Sequence, residues 1–241
     1  MPQTIKEFLA RPDIKEIKEG HTLGQNTSVD FFRDPLRPIT YDPDLLYAPA
    51  DGVVLYALPR VKPKDFLEIK GKNFTLQEML ADGEYNEPSL VVGIFMTALD
   101  VHINRVPSSS YFIDQRKTEY IYTHNISMML AENELLEDFG YKKDALSYLL
   151  SNEKKVSVFY SPDLRSRYYI VQVGDKDIDC ILSWGKGHFL LQGDRFGQIR
   201  WGSQCDLVCP LNGRTEYEVL VEPLQHVEAG VDAIAKVVGR K

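Results

Sequence analysis

The sequence predicts an α+β fold built mainly of antiparallel strands, and three observations carry that prediction. Runs of branched and aromatic residues recur along the chain, turn residues separate them at short intervals, and two helix-patterned stretches interrupt them without a low-complexity linker. A length of 241 residues, 44% of them apolar and 26% charged, is ample for one large core.

Thr4 and Glu7, placed just before Phe8 and Leu9, form a capping-box pattern that opens a short amphipathic helix. Asp13 and Glu16, with Ile14 and Ile17, predict a second helix stopped by Gly20. From Gly20 to Asp44 no period emerges, so the chain reads as irregular. Residues 1–44 are therefore expected to be a helical and irregular appendage, and residues 45–241 the main domain.

Strand-like runs then follow at 52–58, 90–97, 155–160, 167–173 and 215–222, with turn signals such as Ser161-Pro162-Asp163 and Asn212-Gly213 near their ends. Thr75 and Glu78 cap a predicted helix over 75–82, and Met128, Leu135, Leu146 and Leu149 mark 126–151 as an inserted helical segment. Ile199, Trp201, Cys205, Leu207 and Cys209 read as one half-buried strand, interrupted by Gly202 directly before Ser203. A glycine at such a point marks a bulge or a close backbone approach.

Two short patterns, PADGVV near residue 50 and VEAGVDAIAKV at 227–237, look related. Both resemble the half-motifs of lipoyl and biotinyl carrier domains, which implies a barrel-sandwich-like core. Neither carries a lysine at a hairpin tip between small neighbours, so the likeness bears on architecture and not on lipoylation.

The formal net charge of −7 disfavours a nucleic-acid partner. Residues 1–72 are nevertheless neutral, and Arg60, Lys62, Lys64, Lys70 and Lys72 form either a solvated turn or a face that meets lipid headgroups. No run of 18 apolar residues predicts a membrane span, and the N-terminus lacks signal-peptide character. Three cysteines with neither metal-ligand spacing nor paired scaffold fit a reducing, cytoplasmic setting without a metal centre.

Three separated segments carry chemistry: Ala48-Pro49-Ala50-Asp51-Gly52, then Phe95 to Pro107 (FMTALDVHINRVP), then the run GDRFGQIRWGS ending at Ser203. Singly each is ordinary: Asp51 a turn residue, His102 a core histidine, Ser203 a strand serine. In this order they resemble the phosphatidylserine decarboxylase family, closest to its short branch with a VHxNRxP segment and a Gly-Ser cleavage site. The resemblance implies a pyruvoyl-dependent carboxy-lyase that decarboxylates phosphatidylserine to phosphatidylethanolamine. It further implies a proenzyme cut between Gly202 and Ser203 into residues 1–202 and 203–241.

The residue types suit that chemistry. A Ser203 hydroxyl next to the Gly202 carbonyl attacks within one chain, where effective molarities reach about 10⁵ M or more. Elimination and loss of ammonia would then turn Ser203 into a pyruvoyl group, an electron sink for decarboxylation. His102 is the expected proton donor to carbon, and Asp51 matches the family's aspartate that orients or charges a histidine. Where the long branch has a second histidine this chain has Arg105, which cannot act as a base, so either His102 or Asp51 fills that role. Asn104 and Arg105 are candidates for the substrate carboxylate or phosphate. Gln204 replaces a cation expected to face phosphate.

The expected partners are phosphatidylserine at a membrane surface, met peripherally, and the two cleaved pieces held as a heterodimer; a homodimer is compatible with the sequence. A free or small amino acid as substrate, and a non-processing member acting as a lipid-binding module, are the rival readings. His21, His124, His188 and His226 match nothing in the pattern and read as surface or structural residues.

Overall fold

The computed structural model describes residues 1–22, 27–117, 126–176, 180–200, 203–212 and 215–240. At the N-terminus β1 (Gln3–Thr4) leads into α1 (Ile5–Ala10), and the predicted box is complete. The Thr4 hydroxyl accepts from the Glu7 amide at 3.2 Å, and the Glu7 carboxylate accepts from the Thr4 amide at 2.8 Å. Next, α2 (Pro12–Thr22) begins on proline, whose missing N–H costs nothing at a first helical position. It runs through Gly20, so that glycine does not stop it. A further short helix, α3 (Thr27–Phe31), lies inside the stretch expected to be irregular, and its last residue, Phe31, is buried.

The strands come next: β2 (Leu45–Tyr47), β3 (Gly52–Val61), β4 (Leu67–Ile69) and β5 (Lys72–Phe74). After α4 (Leu76–Met79) come β6 (Ser89–Met96), β7 (Ile103–Arg105) and β8 (Ser110–Lys117). The inserted segment forms α5 (Met129–Glu137) and a 3-10 helix, Lys143–Leu150. Then follow β9 (Lys154–Ser161), β10 (Ser166–Gly174), β11 (Ile181–Ser183), β12 (Phe189–Leu190) and β13 (Arg195–Ile199). The chain ends with β14 (Ser203–Pro210), β15 (Thr215–Val219), β16 (Gln225–Val227) and β17 (Ala233–Arg240).

One nine-stranded antiparallel sheet, ordered β1-β16-β3-β6-β14-β10-β9-β8-β12, is the middle layer. Two three-stranded sheets, β11-β13-β7 and β15-β17-β2, accompany it. The large sheet is open, with edges at β1 and β12, so among the described residues no barrel closes. The fold is α+β and mainly antiparallel.

Alternation along the central strands feeds two cores. Val91 and Phe95 of β6, Val208 of β14 and Tyr169 and Val171 of β10 pack with the inserted helices, through Met128, Leu135, Leu146 and Tyr148. Leu90, Val92 and Ile94, with Cys205, Leu207 and Cys209, pack instead toward the small sheets, through Phe196, Ile199, Ile234 and Val237. Strands covered on both faces read as near-continuous apolar runs. That corrects the single half-buried strand expected across 199–209. The stretch holds two strands in different sheets, β14 is buried along its whole length, and Ser203 is its first residue rather than a mid-strand position.

The two related patterns interlock. β2 pairs with β17 and β3 with β16, and Ala48 both donates to the Asp232 carbonyl (2.8 Å) and accepts from the Gly230 amide (2.9 Å). Gly52, at φ +149°, has no substitute here: a Cβ would stand 2.1 Å from the Phe95 carbonyl oxygen. The three cysteines are free and buried, and among the described residues no helix is long and apolar enough to cross a membrane.

Candidate active site

The three sequence segments meet at the start of β14. Ser203 pairs with Met96 at the end of β6 and with Gly174 on β10. Past Met96 the chain turns, with Asp100 N–H donating to the Thr97 carbonyl at 3.0 Å. The Asp100 carboxylate fixes that turn by accepting from the Thr97 amide (2.8 Å) and hydroxyl (2.7 Å). A four-residue turn stabilised this way returns the chain toward the strand it has just left, and so places His102 over Ser203. β7 then pairs with β13, and the Arg105 amide donates to the Pro49 carbonyl at 2.9 Å, which ties in the Asp51 segment.

Ser203 Oγ lies 3.0 Å from His102 Nδ1, and His102 Nε2 lies 3.0 Å from the Thr97 carbonyl oxygen. A carbonyl can only accept, so the ring hydrogen is on Nε2 and Nδ1 offers its lone pair to the serine hydroxyl. Both residues are 0% exposed. Burial drives the His102 pKa down to about 4, with nearby Arg33 pushing the same way against Asp100 and the Thr97 carbonyl. The imidazole is thus neutral, and a proton acceptor, at ordinary pH.

Asp51 is buried and does not hydrogen-bond to His102. One oxygen accepts from Arg37 Nη2 at 2.5 Å and the other from the Ala229 amide at 2.8 Å. Burial raises its pKa, against the pull of Arg37. Asn104 is fully buried, its carbonyl oxygen accepting from Gln172 at 2.7 Å. Arg105 donates from Nη1 to the Gly193 carbonyl at 2.8 Å and reaches Asp34 at 3.4 Å. Burial, then the neighbouring Arg195 and Arg37, lower its pKa, although a guanidinium stays charged throughout the working range. Gly202 and Trp201 lie outside the described residues, as does His124.

Gln204 does not face a ligand. It alternates onto the opposite side of β14 from Ser203, where its amide donates to Asp206 (2.8 and 2.9 Å) and to the Tyr56 hydroxyl (2.7 Å) and accepts from Tyr148 (2.5 Å).

A buried dyad that sequence reasoning missed stands beside the site. His226 Nε2 donates to Asp100 Oδ1 at 2.6 Å, and its ring stacks on Phe8 at 3.6 Å between centroids. Burial would raise the Asp100 pKa, but His226 and the Thr97 donors hold it below the usual carboxylate range. The one signal of His226 in the sequence is its place directly before the 227–237 pattern, which bears on architecture alone.

A cleft of about 780 Å³ opens next to these groups, lined by Arg33, Arg37, Asp51, Asp100, Val101 and Glu228 among others. It stops short of the His102–Ser203 pair. Residues 1–44 form much of its wall through α2 and the stretch from Asp30 to Pro38.

A family model described as phosphatidylserine decarboxylase matches residues 25–235. A phosphatidylserine decarboxylase proenzyme of Chlorobium limicola is 31% identical over 206 residues, which are 86% of this chain and 77% of that protein. One of Carboxydothermus hydrogenoformans is 28% identical over 212 residues, covering 88% of this chain and 80% of its own length. A Methanothermobacter thermautotrophicus protein, named provisionally as an archaetidylserine decarboxylase proenzyme, is 30% identical over 211 residues, 86% and 79% of the two chains. No solved structure matches the chain.

Proposed function

The chain belongs to the phosphatidylserine decarboxylase family, and from that membership we propose that its own Ser203 becomes the pyruvoyl cofactor after a cut at Gly202-Ser203. The enzyme is a carboxy-lyase that removes the serine carboxylate of phosphatidylserine as carbon dioxide, leaving phosphatidylethanolamine. The observation that carries the proposal is the 3.0 Å contact from Ser203 Oγ to an unprotonated His102 Nδ1 in a fully buried setting.

In the proposed cut, Ser203 Oγ gives its proton to His102 Nδ1 and attacks the Gly202 carbonyl carbon. The new C–O bond replaces the C–N bond, and His102 hands its proton to the departing nitrogen. A histidine held neutral by burial is a strong acid once protonated, which suits that return. Removal of the Ser203 Cα proton then expels the Gly202 carboxylate. The remaining aminoacryloyl end takes up water and releases ammonia, leaving the pyruvoyl group at residue 203.

The surroundings fit this group: residue 203 is small, dry and pinned between Met96 and Gly174 in the centre of the sheet. Once formed, that group would supply an electron sink for the charge left behind by carbon dioxide, with the pairing to Met96 and Gly174 holding residue 203 in place. In the decarboxylation we assign His102 the proton delivered to carbon. Asp51 acts through Arg37 and the Ala229 amide, as a positioning group and not as the base. Arg105, near Arg37 and Arg195, is the group we assign to the substrate's phosphate or carboxylate, with Asn104 bracing its strand.

We take residues 45–241 as the catalytic unit and 1–44 as an appendage folded over its cleft. The interlocked β2–β3 and β16–β17 units support a sandwich-like arrangement of that half. The pieces 1–202 and 203–241 stay together as a heterodimer, since β14 remains paired with β6 and β10 on either side. Exposed Leu36, Ile39, Tyr41, Phe189 and Leu191 support peripheral contact with a membrane from the cytoplasmic side; four of them line a second cleft of about 430 Å³.

The test is carbon dioxide release from phosphatidylserine vesicles and from free amino acids, by the native chain and by Ser203→Ala. The native chain is expected to act on the vesicles alone and the variant on neither. Activity surviving in Ser203→Ala overturns the cofactor assignment, and release from a free amino acid alone overturns the lipid substrate.

A further inference from the structure

We propose that Phe31 is a positioning residue for the self-cleavage step, holding the His102 ring against Ser203 and walling the pair off from the cleft. The inference rests on the reading of Ser203 and His102 given above. Phe31 ends α3, is 4% exposed, and stacks on His102 with 3.5 Å between centroids and 22° between planes. The cleft is lined by Asp30 and Arg33 on either side of Phe31, and by Asp100 and Val101 just before His102, but by neither stacked ring. The ring-on-ring contact is therefore the wall between the cleft and the reacting pair.

Two hydrogen bonds, one at each ring nitrogen, leave the imidazole free to rock about the axis that joins them. A flat neighbour against its face stops that motion and keeps the Nδ1 lone pair aimed at Ser203 Oγ. Arg33 fastens Phe31 in place: Nη1 donates to the Asp30 carbonyl at 2.7 Å, and Nη2 to the Leu99 carbonyl at 2.5 Å, on the loop that carries His102. The charged groups that face His102 are Asp100 from its own loop and Arg33 from the N-terminal segment, with the Ser203 hydroxyl opposite.

The wall also protects an intermediate. The ester made when Ser203 attacks Gly202 has two fates. Elimination leads to the pyruvoyl group, whereas attack by water returns a free Gly202 carboxylate and an ordinary serine, amine intact, at residue 203. Excluding water favours the first.

The experiment follows cleavage of native chain, Phe31→Ala and Phe31→Trp over a range of pH, with the mass of the 203–241 piece read in each. Phe31→Ala is expected to cut about 10- to 100-fold more slowly, as displacement of a catalytic group does. Part of its small piece should begin with serine instead of pyruvoyl. Its acid limb should move from about pH 4 toward the ordinary histidine value of 6.5. Phe31→Trp, which keeps a flat apolar face, should restore the native product. A folded Phe31→Ala that cuts at the native rate, with the native acid limb and only pyruvoyl product, overturns the proposal. If Phe31→Ala does not fold, Phe31→Leu, which keeps apolar bulk without the flat face, is read in the same way, and native behaviour in it also overturns the proposal. A native chain that never cuts sinks the Ser203 reading itself, which separates the two failures.

Discussion

His102 stands between Thr97 and Ser203, with its Nε2 hydrogen committed to the Thr97 carbonyl and its Nδ1 lone pair to the Ser203 hydroxyl, each at 3.0 Å. The acceptor nitrogen is thus chosen by the backbone, in the same turn that Asp100 stabilises. Replacing His102 by Ala should slow self-cleavage by about 10²- to 10⁴-fold, the usual worth of a general base. In the native chain the cleavage rate should hold steady around neutrality and fall as pH drops through about 4, where the imidazole protonates. A gel time course at several pH values checks both expectations.

Asp51 and Arg37 make a buried ion pair, with side chains 5% and 6% exposed. Asp51→Asn removes the charge that compensates a buried guanidinium and should cost about 3 kcal/mol of stability. Replacing both, as Asp51→Asn with Arg37→Met, should regain much of that loss, as measured by urea unfolding. If Asp51 were instead the direct base, Asp51→Asn would abolish cleavage even in chains that remain folded.

Gly52→Ala should destabilise the fold by about 3 kcal/mol or more, because the added methyl meets the Phe95 carbonyl and the backbone sits where L side chains rarely go. Thermal unfolding of the uncut Ser203→Ala background, with and without Gly52→Ala, measures this without interference from processing.

Asp206 lies on the far side of β14 from Ser203, and burial lifts its pKa to about 7, only partly offset by hydrogen bonds from Tyr56 and Gln204. A carboxyl raised above its unfolded value contributes stability that is complete below about pH 4 and is lost as pH climbs through 7. The stability difference between native chain and Asp206→Asn should therefore shift against the native chain as pH rises from 4 to 8. His102 contributes in the opposite sense, since its lowered pKa costs stability as pH falls from 6.5 toward 4. Urea unfolding at stepped pH separates the two, because Asp206→Asn leaves the histidine contribution in place.

Much of this was legible in the chain. Thr4–Glu7 and Thr75–Glu78 wrote their own caps, because a capping box is a local signal. The motif residues Ser203 and His102 come together because β6, the Thr97 turn and β14 are adjacent in the sheet. What the sequence hid was set by distant partners. Gln204 looked like a substituted cation, yet alternation puts it with Tyr148 in the opposite core. Asp51 looked like the partner of a histidine, but Arg37, from a stretch without any period, takes its carboxylate. His226 carries no motif of its own and is defined only by Asp100 and Phe8, far away in sequence.

The most direct measurement of the central claim is the intact mass of the purified protein. Two pieces are expected, residues 1–202 and 203–241, with the second lighter by one ammonia than a peptide beginning in serine. A single unmodified 27.5 kDa chain under every condition contradicts it.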